Sequence, residues 1–541
     1  MRDGLRWTLM LLLAIGSWRV AAGEELLPPD KPIEEAIDYY LDAKLAAAGV
    51  SAAPQAGDAN LLRRTMLDLV GRIPTAAEAK AYVANADAGK RTAMVDRQLA
   101  APAFNRQQVA VFDALLMGGS RGSLKEYLTT AFQKNTPWDQ MFREMIVGQA
   151  EDAAQKGAIA FVKSRAKDQD ELTTDTSAIF FGVNVSCAKC HDHPLVPTWT
   201  QEHYFGMQSF FNRTFDVGDF IGEKEYGLVN YKTVQGEARQ ARLMFLTGEV
   251  LTEPENKEPD ENGQKEEKQR IEELKKNKQS PPPPAYSRRA RLVEIALKEE
   301  AYPYFARAIV NHVWNRLLGR GIVMPLDQMH DQNQPSHPEL LAWLARDLKA
   351  HNYDLRRLTR GIVLSKAYAR NSEWDSAVPR PSDDLFAVAM VRPMTPWQYG
   401  TSLRLGAASP DQFPADLQDD ELDRRMQGME GAGRGIAGSL EVPGEDFQVS
   451  VDEALLFSNS DRVIKDLLRD GKDMLPGKLA EIPDRREAIE AAIWNVMARP
   501  PAEDEVIALS DFLHRREDRP AEGYRQMVWA LLTSSECRFN Y

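Results

Sequence analysis

Leu61-Leu62-Arg63-Arg64-Thr65-Met66-Leu67-Asp68-Leu69-Val70-Gly71 decides the fold class. Its apolar residues recur at helical spacing, and Gly71 closes the run where a helix ends. Pro74-Thr75-Ala76-Ala77-Glu78 then opens a second helix. Working outward, Leu124 to Phe132 and Trp138 to Ile146 read as helices. Thr176 to Val185 reads as an apolar helix that leads directly into Cys187. Thr198 and Gln201 fit a capping box for the next helix, on which Trp199, His203, Met207 and Phe211 define one face.

Beyond Arg288 the pattern stays helical. Ala290 to Glu300 carries an apolar stripe, as do Leu355, Leu358 and Ile362. Ser336 and Glu339 fit a capping box ahead of Leu340-Leu341-Ala342-Trp343, with Pro338 in the tolerant first turn. Arg486 to Met497, Ala502 to Leu513 and Tyr524 to Ser534 complete the helices. Gly428 to Gly438 reads as a glycine-rich loop. Within it Gly433-Arg434-Gly435-Ile436-Ala437-Gly438 matches G-x-G-x-x-G, but no strand precedes it, so a nucleotide site is not expected there. Strand signals are few, with Gly248-Glu249-Val250-Leu251 among them.

Between the two helical regions the composition changes. Charges crowd from Glu253 to Lys278, and Pro281 to Pro284 close the segment. The stretch Lys265 to Lys278 suits a solvated helix, and the proline run is stiff and extended. A hydrated connector is the plain reading, and a docking tail for a basic partner is the alternative. The expected fold is mainly α. Two helical domains, 24–250 and 288–541, are joined by a charged, proline-rich linker at 251–287, with few short strands. Residues 1–23 read as a signal peptide: Arg2 and Arg6 precede a short apolar run, and Val20-Ala21-Ala22-Gly23 offers small residues for cleavage. The expectation is an exported protein of the periplasm or another extracytoplasmic space, with no transmembrane segment once the signal is removed.

The chain has 67 Lys and Arg against 80 Asp and Glu, a net charge of −13. That argues against nucleic acid or an anionic membrane surface as a partner. Three cysteines exclude a disulfide-rich scaffold. Two of them lie in Cys187-Ala188-Lys189-Cys190-His191, the C-x-x-C-H spacing of a c-type haem site. The thiols can add to the haem vinyl groups and His191 can ligate the iron. His203 and Met207 are candidate sixth ligands, although Met207, on an aromatic stripe, also suits the core. The same residue types support other chemistry. Cys187, Cys190, His193 and His203 could bind zinc, with His191 able to replace either histidine and Asp192 orienting an imidazole. The two thiols could also close a local disulfide. The third cysteine, Cys537, is expected to be a buried thiol in a final helix.

A second constellation comprises Asn311, His312, Trp314, Asn315 and Arg316, then Asp327, His330, Asp331 and His337. It offers the groups of a hydrolytic or metal site centred on His312 and Asp327, yet its spacing fits no motif of known mechanism. A hydrogen-bonded core histidine is the simpler reading of His312.

These landmarks together resemble a known family. The chain is similar to the paired planctomycete cytochrome-associated domains of unknown function, DUF1549 (PSCyt-type) and DUF1553 (PSD-type). Leu62 to Thr75, Cys187 to Pro194, Trp199-Thr200-Gln201-Glu202 and Tyr204-Phe205 carry the first likeness. Tyr304 to Trp314, Gly319 to Val323, Pro335 to Leu341 and Trp529 to Glu536 carry the second. Many such proteins have a separate cytochrome-like domain ahead of the pair, whereas this chain has a single C-x-x-C-H. Residues 380–450 depart from the pattern. The expected activity is covalent binding of one c-type haem, for electron transfer or redox sensing with an unidentified redox or assembly partner. The competing readings are a haem-free assembly module holding zinc or a disulfide, and a hydrolase. Whether the chain is an enzyme stays open.

Overall fold

A computed structural model describes residues 26–541 apart from 119–121, 149–151, 195, 256, 299, 301, 376 and 444–448. The expected signal peptide lies outside the described residues. The fold is mainly α, with 25 α-helices and three two-stranded sheets among the described residues. None of these helices is long and apolar enough to cross a membrane.

The deciding stretch forms the Asp58–Val70 helix, which Gly71 ends in the left-handed conformation at φ 74°. Thr75 then caps the Ala76–Ala84 helix in a full capping box with Glu78. Almost the whole Asp58–Val70 helix is buried, its polar residues included. Arg63 donates to the carbonyls of Phe539, Glu536 and Cys537 at 2.8, 3.1 and 3.2 Å. Arg64 donates to the carbonyls of Tyr368, Arg370 and Tyr541. Asp68 pairs with Arg392 at 2.8 Å and accepts from the Tyr368 hydroxyl at 2.7 Å and the Asn540 amide at 3.0 Å. The Arg-Arg-x-x-x-Asp pattern is therefore an interior clamp on the C-terminal residues. The clamp is completed by the pairing of Arg392–Pro393 with Phe539–Asn540.

The largest apolar core draws on both sides of the charged segment. It runs from Ile33 through Phe181 and Phe245 to Trp314, Trp343 and Ala369. A second core is built from Met394 to Cys537, with Leu67 and Ile73 reaching into it. Between the two sides, the Glu261–Asn277 helix buries none of its residues, as a solvated helix should. The Gly248–Leu251 strand candidate reduces to one bridge between Met244 and Val250.

One expected loop is a helix. Gly428 to Ala437 lies within the Asp419–Ala437 helix, which packs on the Pro396–Ala407 helix. The glycines there serve close approach rather than a turn. A Cβ on Gly433 would fall 2.7 Å from the Thr401 nitrogen, and one on Gly400 2.6 Å from the Gly433 carbonyl oxygen. Helix starts shift elsewhere. Thr200, not Thr198, precedes the Gln201–Ser209 helix. His337 precedes Pro338–Ala350, while Ser336 donates its hydroxyl to the Ile322 carbonyl instead of capping.

Candidate functional site

The cysteine turn is positioned by an early helix stop. The expected helix through Val185 is in fact Gln169–Phe181, started by the Asp168 cap and ended by Gly182 at φ 66°. The released chain is stitched to a segment 143 residues away. Val183 bridges Gln328, the Asn184 N–H donates to the Asp327 carbonyl at 2.7 Å, and the Asn184 amide donates to the Asp327 carboxylate at 3.0 Å. The Met329 N–H returns a bond to the Gly182 carbonyl at 2.9 Å. Nothing local in either segment announces this pairing, and Val183 and Asn184 fall in the stretch expected to be helix.

Asn184 then accepts from the N–H and hydroxyl of Ser186 and opens a 3₁₀ turn over Ser186–Lys189. Cys187 lies within this turn and Cys190 closes its C-terminal end. Both thiols are exposed and unpaired. The turn is tied down from below. Lys189 pairs with Asp170, which also accepts from the Tyr204 hydroxyl at 2.6 Å and the Gln208 amide at 2.8 Å. Burial alone would raise the Asp170 carboxyl, but the bonds from Lys189 and Tyr204 prevail and hold it below its ordinary value. The Gln201 amide donates to the Lys189 carbonyl at 3.1 Å.

His191 is exposed, with Nδ1 2.7 Å from the Asp192 carbonyl oxygen. A carbonyl only accepts, so in that contact Nδ1 carries the proton and Nε2 of the neutral ring keeps its lone pair. This is the tautomer a metal ligand needs. His193 turns inward. Its Nδ1 accepts from the Val196 N–H at 3.1 Å, and its ring packs edge-on to Trp199 and His330, with centroids 5.5 and 6.0 Å away. Burial, then the neighbouring His330 and His191, lowers its pKa. His330 comes from the stitched segment, and its Nδ1 is buried without a hydrogen-bond partner.

The sixth-ligand candidates are placed differently. Met207 is wholly buried in the main core. His203 is half-buried, and its Nδ1 accepts from the Thr200 N–H at 3.3 Å at the start of its helix. Burial lowers its pKa. Among the described residues no group of three or more His, Cys, Asp or Glu side chains is arranged to hold a metal ion. The set Cys187, Cys190, His193 and His203 is thus not gathered here.

The second constellation divides into structural parts. The Asn311 amide brackets Val323, donating to its carbonyl at 2.9 Å and accepting from its N–H at 3.0 Å. Trp314 is fully buried. Asp327 is engaged by Asn184. His312 faces the Gln169–Phe181 helix. Burial pushes its pKa down to about 4, against a backbone bond at Ile179 and the charge of Asp327. His337 is likewise pushed down to about 4, chiefly by burial.

Both rings are neutral when folded and protonate freely only when unfolded. The unfolded chain therefore binds more protons between about pH 6.5 and 4, and stability falls as pH drops through that window. Urea midpoints at pH 7 and pH 5 check this, with a lower midpoint at pH 5 and a smaller drop in His337→Leu. An unchanged midpoint contradicts it.

A model described as PSCyt2, protein of unknown function (DUF1549), matches residues 36–216. A model described as PSD1, protein of unknown function (DUF1553), matches residues 288–405. The chain belongs to the paired DUF1549–DUF1553 family. No curated protein and no solved structure matches it. In family terms, the cysteine turn lies in the DUF1549 region, and Asp327 and His330, which hold its flank, lie in the DUF1553 region. The contact between the two regions is thus part of the site.

Proposed function

We propose that Cys187, Cys190 and His191 attach and ligate one c-type haem in an exported protein, for electron transfer or redox sensing with a partner protein. The observation that carries the reading is the turn itself. It presents two exposed free thiols and an imidazole whose Nδ1 proton is held by the Asp192 carbonyl. Thioether formation needs both thiols unpaired and accessible, and axial ligation needs the Nε2 lone pair. The haem would supply reversible one-electron chemistry. The protein's part is to fix the turn through Asn184, Lys189 and Gln201 and to leave its outer face open to a partner. His330 and His193, packed behind the turn, tie it to the DUF1553 region.

Thiol counting tests the reading cheaply. Cys537 is buried, and burial pushes its thiol up to about 11, which keeps it protonated and inert in the folded chain. Folded haem-free protein, kept reduced until labelling, should titrate two thiols with a thiol-specific chromogenic reagent, and unfolding should release the third. Protein matured in a host with haem-attachment machinery should titrate none until unfolded. Two reactive thiols in that matured protein contradict attachment.

A further inference from the structure

Away from the cysteine turn, a cleft of about 630 Å³ opens where the Pro102–Met117 and Lys125–Gln133 helices meet the Asp419–Ala437 helix and Trp397. We propose that this cleft binds a small organic anion whose body is an apolar ring system. Val109, Ala110 and Trp397 give the lining its apolar part, with Gln133 among the polar residues. The charges near it are unequally committed. Glu430 and Asp423 both bind Arg106, at 2.9 and 2.8 Å, so one guanidinium is shared between these two carboxylates. Asp423 also accepts from the Gln427 amide.

The cations at the rim are not so committed. Arg434 is exposed, makes no ion pair among the described residues, and lies with its guanidinium carbon 4.9 Å from the Trp397 ring centroid. Lys125 reaches only the Asp113 carboxylate, at 3.7 Å, and Asp113 already accepts from the Leu124 N–H and the Ser123 hydroxyl. Arg434 is therefore the guanidinium of this lining that has no carboxylate partner among the described residues. A guanidinium stacked on an indole keeps its edge donors free for a carboxylate or sulfonate, and the stacking holds it in place without a counter-charge.

The glycine-rich stretch explains why Arg434 stands there. Gly433 and Gly400 let the two helices touch at backbone distance, and the residue after Gly433 then meets the indole three residues before Gly400. The cleft volume admits a ring of one or two fused cycles against Val109, Ala110 and Trp397, with its acid group at Arg434 and Lys125.

Titration of the full-length protein with 2-naphthoate and its neutral isostere 2-naphthamide, followed by ligand-observed NMR, tests this. The expected result is binding of 2-naphthoate roughly tenfold tighter than 2-naphthamide, since only the anion makes charge-assisted bonds. Arg434→Gln, a change at an exposed position, should abolish that preference while leaving the thermal midpoint unchanged. Absence of 2-naphthoate binding at millimolar concentration, equal binding of the two probes, or a preference that survives in Arg434→Gln overturns the proposal.

Discussion

Asp68→Ala is expected to destabilise the protein by about 3–5 kcal/mol, the effect of leaving one partner of a buried ion pair without the other. Asp68 is 5% exposed, and three groups converge on it: Arg392, the Tyr368 hydroxyl and the Asn540 amide. Removing the carboxylate leaves the part-buried Arg392 guanidinium with only the Arg316 carbonyl, and takes the acceptor from a phenol and an amide at once. Arg316, whose guanidinium nitrogens already lack partners nearby, makes the uncompensated positive charge worse. The loss should begin at the C-terminus, where Phe539–Asn540 pairs with Arg392–Pro393. Urea unfolding gives the magnitude, and amide exchange at Phe539 and Asn540 gives the location. A loss under about 1 kcal/mol, the ordinary range for an exposed pair, shows that the clamp is dispensable.

Cys187→Ala/Cys190→Ala should abolish covalent haem while leaving the fold intact. Neither side chain is in a core, since both are exposed, so no cavity opens. The turn keeps its anchors, because Asn184, Lys189 and Gln201 bond through groups that the substitutions do not touch. The variant should therefore unfold at the midpoint of the haem-free wild type and lose all covalent haem stain on a denaturing gel. A midpoint several degrees lower means that the thiols are structural. Haem stain retained in the double variant means that attachment does not run through this turn.

The sequence carried the helices and the spacing of the turn's residues because both are local. Leu61 to Gly71 and Thr75 to Glu78 declare a stop and a start through spacing and caps, and the structure places them within a few residues. Cys187, Cys190 and His191 are legible for the same reason. What failed was long-range. Gly428 to Gly438 looks like a loop because glycine weakens helices, but the gain here is close approach to Gly400, which lies outside any local window. Gly182 sits inside an apolar run, yet it stops the helix in the left-handed conformation at φ 66°, and an added Cβ there would also lie 3.2 Å from the Leu326 carbonyl oxygen. The partnership of Asn184 with Asp327, and of His193 with His330, joins two loops across the charged linker. Nothing local marks Arg63, Arg64 and Asp68 as interior residues, and they are buried because their partners arrive from the far end of the chain.

The most direct test of the haem assignment is a pyridine haemochrome spectrum of the mature protein, made in a host with haem-attachment machinery and compared with Cys187→Ala/Cys190→Ala. A c-type α band at about one haem per chain in the wild type, and none in the variant, is the predicted result. No band in the wild type, when a control cytochrome matures normally in the same cells, contradicts it and leaves the turn as a pair of free thiols.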